Sequence, residues 1–404
     1  MALDLKIEHG AVVIPGAGIV HATVGVKHGR IVHLGDASGE TAARTVNARG
    51  LHVLPGVVDP HVHLGTRSPF ELECESETRA ALAGGVTTLG VYLRQLAGSY
   101  LESFPQVLET ATRKASTDFF FHVQLFTRAQ LAEVPRYARE LGIPSIKMYL
   151  CGLPGILPSV DDAFLLEGFR LAARLAGEGF PAVAAVHAEN EPLVNRAWAR
   201  ISAEKGEGGT LADWAEVHSA AAEEEAVLRS AYLARVAGAP LYAVHLTSGA
   251  ALARLRRLRL AQQPLYVEVT SVHLSLTSDD PMGLCVKRYP PVRGREDVEA
   301  LWAGVARGDV DVLATDNVTG TREQNRGDQG FLKASGGFGS LGVHLPLILH
   351  EGHYRRRIPV EVLVDRMARR PAQIFGLYPR KGTIAVGADA DLVLVDLKRS
   401  QAVE

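Results

Sequence analysis

The chain has 404 residues, 47% of them hydrophobic and 22% charged, with a formal net charge of −2. That balance gives no electrostatic basis for binding nucleic acid or an anionic membrane surface. The length suits one large barrel with an accessory layer. Three cysteines (Cys74, Cys151, Cys285) are odd in number and widely spaced, which fits a reducing compartment and no disulfide framework. The N-terminus lacks a signal-like basic and apolar pattern, and no apolar run reaches transmembrane length, so a cytoplasmic protein is expected.

Residues 1–54 read as short strands cut by glycine turns, a small β-layer. From residue 55 to 379 the texture changes to apolar runs alternating with helix-length stretches. The runs lie at 56–64, 85–93, 118–126, 144–150, 182–190, 240–248, 264–274 and 310–317. Strands this apolar belong to a parallel sheet covered on its outer face. Eight strand–helix repeats predict an α/β fold of the (β/α)8 class, a TIM-like barrel. The segment 382–397 returns to the glycine-punctuated β texture and is expected to pair with residues 1–54. The expected division is a β-sandwich from 1–54 plus 380–404, and a barrel from 55–379. The basic run "RLRRLRL" at 254–260 has the spacing of a solvated helix face.

In such barrels the chemistry sits where strands end. Strand one, "LPGVVDPHVHLG", ends in His61 and His63, two apart and so on one strand face. Strand four carries Lys147, strand five ends in His187, strand six in His245 and strand eight in Asp316. A lone histidine at a strand end is usually a hydrogen-bonded packing residue. Histidines and a carboxylate at four strand ends of one rim are a different matter, because neutral imidazoles at one height can share a first-row divalent cation. Asp59, on the same strand face by alternation, is expected to orient a ligand imidazole.

Lys147 is the odd member, since an ammonium cannot coordinate a metal. Burial would depress its pKa and expose a neutral, nucleophilic amine. Such an amine can add carbon dioxide and become a carbamate, an anion able to bridge two metals.

The segments "PGVVDPHVHL", "ETRAALAGGVTTLG", "IKMY", "VHAEN", "YAVHLTSGAA", "ATDN" and "FGLYPRKGTIAVGADADLVLVD" resemble the amidohydrolase superfamily in order and spacing. The branch they resemble is that of hydantoinase, dihydropyrimidinase, allantoinase and dihydroorotase, and hydantoinase most of all. The resemblance implies two divalent metal ions per chain, usually zinc. One would bind His61, His63 and Asp316; the other, His187 and His245. Lys147, as the carbamate, would bridge them together with a hydroxide. It further implies hydrolytic opening of a cyclic amide (a hydantoin, dihydropyrimidine or ureide-like ring) by that hydroxide, with Asp316 as proton shuttle. A homo-oligomer, dimer or tetramer, is implied as well.

The departures concern substrate. Hydantoinases carry a tyrosine five residues beyond the bridging lysine, where this chain has Gly152; the nearest tyrosine is Tyr149. Their serine before the "PP" after strand seven is Tyr289 here, and the arginine that dihydroorotases carry after the second histidine is Gly65, with Arg67 two further on. "TDN" replaces the usual "TDH". Arg67, Tyr149, Tyr289 and Asn317 are therefore the candidate substrate-binding residues. Alternative readings are a dihydroorotase or N-acyl amino acid deacylase and, from another class, a non-catalytic assembly scaffold. "GFGSLG" at 337–342 fits a dinucleotide fingerprint but lacks the βαβ setting. Cys151 reads as a packing residue, and "EEEAVLR" at 223–229 as a charged helix face.

Overall fold

The computed structural model describes residues 2–36, 39–153, 155–259 and 264–402. The chain opens with seven strands, β1 (Leu3–Glu8), β2 (Ala11–Ile14), β3 (Gly18–His21), β4 (Thr23–Lys27), β5 (Arg30–Gly35), β6 (Ala42–Asn47) and β7 (His52–Pro55). They form two four-stranded sheets, ordered β5-β4-β1-β6 and β17-β7-β2-β3, where β17 (Leu392–Val395) comes from the other end of the chain. The expected pairing of the two ends is antiparallel between β17 and β7. Ile7, Val12, Val24, Ile31, Val53 and Ile384 close the core between these sheets.

Barrel and end layer are joined with almost no linker. β7 ends at Pro55 and the first barrel strand, β8 (Val57–His63), begins after Gly56. A Cβ at Gly56 would lie 2.0 Å from the Thr87 hydroxyl, so the passage is open only to glycine. Then follow β9 (Val86–Leu93), β10 (Asp118–Gln124), β11 (Ile146–Tyr149), β12 (Ala184–His187), β13 (Leu241–Ala243), β14 (Leu265–Thr270), β15 (Val312–Ala314) and β16 (Asn317–Val318). All pair in parallel in chain order from β8 to β15, and β16 pairs with β8. β15 and β16 are one strand broken at Thr315 and Asp316. Its first half pairs with strand seven and its second half with strand one, which closes the (β/α)8 barrel.

Helices between the strands cover the outside, each started by local chemistry. Thr127 and Gln130 form a reciprocal capping box for the helix 128–140, and Asp161 caps 162–177. The strands β8, β11 and β12 are buried throughout their length, which explains their apolar composition. Tyr92, Ala185, Tyr242, Val312, Ala314 and Phe375 pack into the barrel interior. The helix Gly249–Arg259 presents Arg254, Arg256 and Arg257 to solvent, as its basic spacing predicts; Leu260 lies outside the described residues. Among the described residues no helix is long and apolar enough to cross a membrane.

Candidate active site

His61, His63 and Asp316 meet at the C-terminal rim, their ligand atoms all within 4.8 Å of one another. Asp316 Oδ1 lies 3.2 Å from His61 Nε2 and 3.3 Å from His63 Nε2. Lys147 Nζ is 2.7 Å from His61 Nε2, and His187 Nδ1 is 3.0 Å from His245 Nε2. The His61 and His245 rings stack at 5.5 Å, which brings both groups into one site. All six sequence-derived residues are thus gathered on one rim, each with at most 8% of its surface exposed.

Two of the imidazoles, those of His61 and His187, are turned by carboxylates. His61 Nδ1 donates to Glu268 Oε1 at 2.6 Å, leaving Nε2 to face the site. His187 Nε2 donates to Glu189 Oε2 at 2.9 Å, leaving Nδ1 to face it; the other oxygen of Glu189 accepts from His218 Nδ1 at 2.8 Å. Burial holds the His61 and His245 rings well below the ordinary histidine range and brings His63 down to about 3, so these imidazoles stay neutral with lone pairs available. Burial also lowers Lys147 to about 8, despite the raising influence of Asp316 and Glu268. Burial pushes the Asp316 carboxyl up, but His61, His63 and Arg288 outweigh it and hold Asp316 well below the usual carboxylate range. Neutral imidazoles, a carboxylate and a buried amine form a donor set that fits divalent cations.

Two of these positions are strained. Asp316 has φ +50° and His245 φ +40°, left-handed values that side-chain-bearing residues rarely adopt. Such conformations persist where the surroundings over-determine them, and they cluster at working sites.

Three expectations need correction. Asp59 does not orient an imidazole: it accepts the His61 backbone N–H at 3.1 Å and the Thr315 hydroxyl at 2.5 Å. The reason is a register shift between Asp59 and Val62 against β9, which breaks the alternation that would have kept Asp59 on the histidine face. Glu223 is no member of a charged helix face. It is buried near the start of the helix 220–237, accepting from Thr247 (N–H 2.6 Å, hydroxyl 2.7 Å) and Arg293 (2.9 Å). Asn317 points away from the rim: its amide donates to Glu77 at 2.8 Å and its oxygen accepts from the Ser340 N–H at 2.7 Å.

The other rim candidates divide. The Tyr149 hydroxyl donates to Gln124 at 2.9 Å, while its ring lies 5.1 Å from Lys147 Nζ. Arg67 is tied by Nη2 to the carbonyls of Gly336 (2.7 Å) and Gly337 (3.0 Å). Tyr289 packs edge-on against Trp214 and His218, and among the described residues its hydroxyl has no hydrogen-bond partner. A cavity of about 510 Å³ opens beside this rim, lined by Leu96, Gly152, Leu153, Ile156, Glu191 and Asn195 among others. Cys151 is buried in an aromatic and aliphatic cluster, with its thiol pushed up by burial, as a packing residue should be. Within "GFGSLG", the Ser340 and Leu341 N–H groups are taken by Asn317, which leaves no phosphate cradle. Asp118, Asp389 and Asp391 also gather, but Lys381 already bonds all three.

Glu268, Glu189, His218 and Arg288 went unassigned in the sequence reading. Glu268 had one visible signal, an acid inside the otherwise apolar run 264–274.

This barrel and rim define a hydrolase class, and the chain belongs to the amidohydrolase family, whose pattern matches residues 182–404. Over 98% of its length it is 35% identical to an allantoinase of Solibacter usitatus (strain Ellin6076), covering 86% of that protein. It is 34% identical, with the same coverage of both chains, to a D-hydantoinase of Streptomyces coelicolor. Among solved structures, a D-hydantoinase superposes with a TM-score of 0.88 at 28% identity, covering 97% of this chain and 86% of the other. The L-hydantoinase (dihydropyrimidinase) from Arthrobacter aurescens gives 0.88 at 29%, covering 96% and 86%.

Proposed function

We propose that this protein opens a cyclic amide of the hydantoin, dihydropyrimidine or ureide type by metal-dependent hydrolysis. The observation that carries the reading is the inward convergence of His61 Nε2, His63 Nε2, His187 Nδ1, His245 Nε2 and Asp316 Oδ1 around one buried lysine. In this reading His61, His63 and Asp316 would hold one divalent cation, zinc by preference, and His187 and His245 would hold the second. Lys147 would serve both after its neutral Nζ added to carbon dioxide and released a proton. When bound, the dications would make water acidic enough to react near neutral pH and would polarise the amide carbonyl.

The protein's own groups do the rest. Glu268 and Glu189 fix which nitrogen of His61 and His187 faces the site. Asp316 takes the proton from the attacking water and delivers it to the departing ring nitrogen. A C–O bond forms, the C–N bond breaks, and that one proton transfer balances the step. The Tyr289 hydroxyl is free to donate to the ring's oxygen atoms. A dihydroorotase-like or N-acyl amino acid deacylase-like preference remains the second reading within the same chemistry. A scaffold has no physical need for buried, carboxylate-oriented imidazoles. The division into an end layer (1–54 plus 380–404) and a barrel (55–379), a homo-oligomeric state and a cytoplasmic location belong to the same proposal; three unpaired cysteines support the last.

The test is zinc-reconstituted protein, supplied with bicarbonate and assayed against hydantoin, dihydrouracil, allantoin and dihydroorotate. Metal-dependent opening of at least one ring, with two metals per chain, is expected. A protein that binds no metal and opens none of them is the scaffold.

A further inference from the structure

Arg288 lies in the segment after β14 and is 1% exposed. Its Nη2 donates to the Asp316 carbonyl at 2.5 Å, the Thr315 carbonyl at 3.2 Å and Asp316 Oδ2 at 3.2 Å. The other oxygen of that carboxylate, Oδ1, faces His61 and His63. We infer that Arg288 is the positioning residue for Asp316, fixing the rotation of its carboxylate so that one oxygen stays on the imidazoles while the proton moves. The inference rests on the reading of Asp316 as proton carrier.

Three observations carry it. First, Thr315 and Asp316 sit at the break in strand eight, between the half that pairs with β14 and the half that pairs with β8. Arg288 supplies a donor to the carbonyls of both residues there. Second, Asp316 is held at φ +50°, a conformation that needs outside support, and Arg288 grips the residue by main chain and side chain together. Third, Nε and Nη1 of Arg288 are buried without a partner, and the guanidinium face lies over Phe338 at 4.9 Å. Asp316 is thus the only carboxylate with which Arg288 forms an ion pair among the described residues. A buried cation is costly unless paired, so this guanidinium is committed to one carboxylate.

The experiment uses the zinc-reconstituted protein and the best ring found above. Arg288→Met keeps length and removes charge; kcat is expected to fall about 100-fold, the scale of a small misplacement of a reacting group. KM should change less than about threefold, because the residue holds no substrate. Two zinc ions per chain should remain. Arg288→Lys, which keeps a donor, should recover about tenfold of the loss and keeps the test alive if the methionine variant does not fold. The loss should be steeper for rings whose leaving nitrogen is more basic, since those need the proton most; a purely structural role would lower all alike. Arg288→Met/Asp316→Asn should be no slower than Asp316→Asn alone. A methionine variant with kcat within threefold of the parent, loss of zinc in step with kcat, equal losses across the rings, or a double variant slower than Asp316→Asn would each overturn the inference. Asp316→Asn retaining the parent kcat would instead bring down the reading of Asp316, and is read separately.

Discussion

Glu268 Oε1 receives both the His61 ring N–H, at 2.6 Å, and the His245 backbone N–H, at 2.9 Å. One buried carboxylate on strand seven thus aims an imidazole from strand one and fixes the main chain that carries another from strand six. Its second oxygen accepts the Tyr242 hydroxyl at 2.7 Å. Burial pushes this carboxyl up to about 7, against the lowering effect of the Tyr242 and His245 hydrogen bonds.

Glu268→Gln should therefore weaken zinc binding about 10–100-fold, the usual effect of losing a carboxylate behind a ligand imidazole. The amide cannot accept from Tyr242 and His61 at once with both of its ends. Competition of the bound zinc with a chromogenic chelator measures the change. Unaltered affinity would mean that the His61 ring needs no aiming.

Lys147→Ala should abolish the two-metal state, since among the described residues Lys147, 2.7 Å from His61 Nε2, is the group that would link the two sets of imidazoles. Millimolar propionate should restore part of the metal content and turnover by standing in for the carbamate. In the parent, intact mass of the bicarbonate-treated, zinc-loaded protein should show the increment of one carbon dioxide. An unmodified lysine in a fully metallated sample would defeat the bridge.

Lys287 gives the clearest pH dependence away from the metal candidates. Its ammonium lies 3.9 Å over the Trp214 ring, donates to the Ala334 carbonyl at 3.0 Å, and is lowered by burial from 10.5 to about 8. The folded protein gives up this proton before the unfolded chain does. Between about pH 8 and the ordinary lysine value the unfolded chain holds more protons, so this group makes stability rise with pH. The burial penalty is present in full below about 8. The Tm of the parent minus that of Lys287→Met should thus become more positive from pH 7.5 to 9.5, followed by circular dichroism. A constant or falling difference would show that the amine is not destabilised by burial.

Tyr289→Phe should lower kcat/KM about three- to tenfold, the range expected for one hydrogen bond of about 0.5–1.5 kcal/mol. Its Tm should stay with the parent's, because among the described residues the hydroxyl bonds no protein group. A variant with parental kcat/KM on every ring that is opened would remove Tyr289 from substrate contact.

What the sequence by itself determined was the barrel and its polar rim. Parallel strands buried on both faces are apolar along their whole length, so His61, His63, Lys147, His187, His245 and Asp316 stood out against them at recurring strand ends. Only the tertiary structure decided how those groups are held. His61 and Glu268 are 207 residues apart, and nothing local records that they touch. Alternation favoured Asp59 instead, and a shift of strand register reversed that choice. Asn317, beside Asp316 in the chain, turns to Glu77, while Arg288, 28 residues away, reaches Asp316. Spacing along a strand fixes which face a side chain leaves from. Which charge it meets there depends on where a closed barrel brings its neighbouring strands, and that is a property of the whole chain.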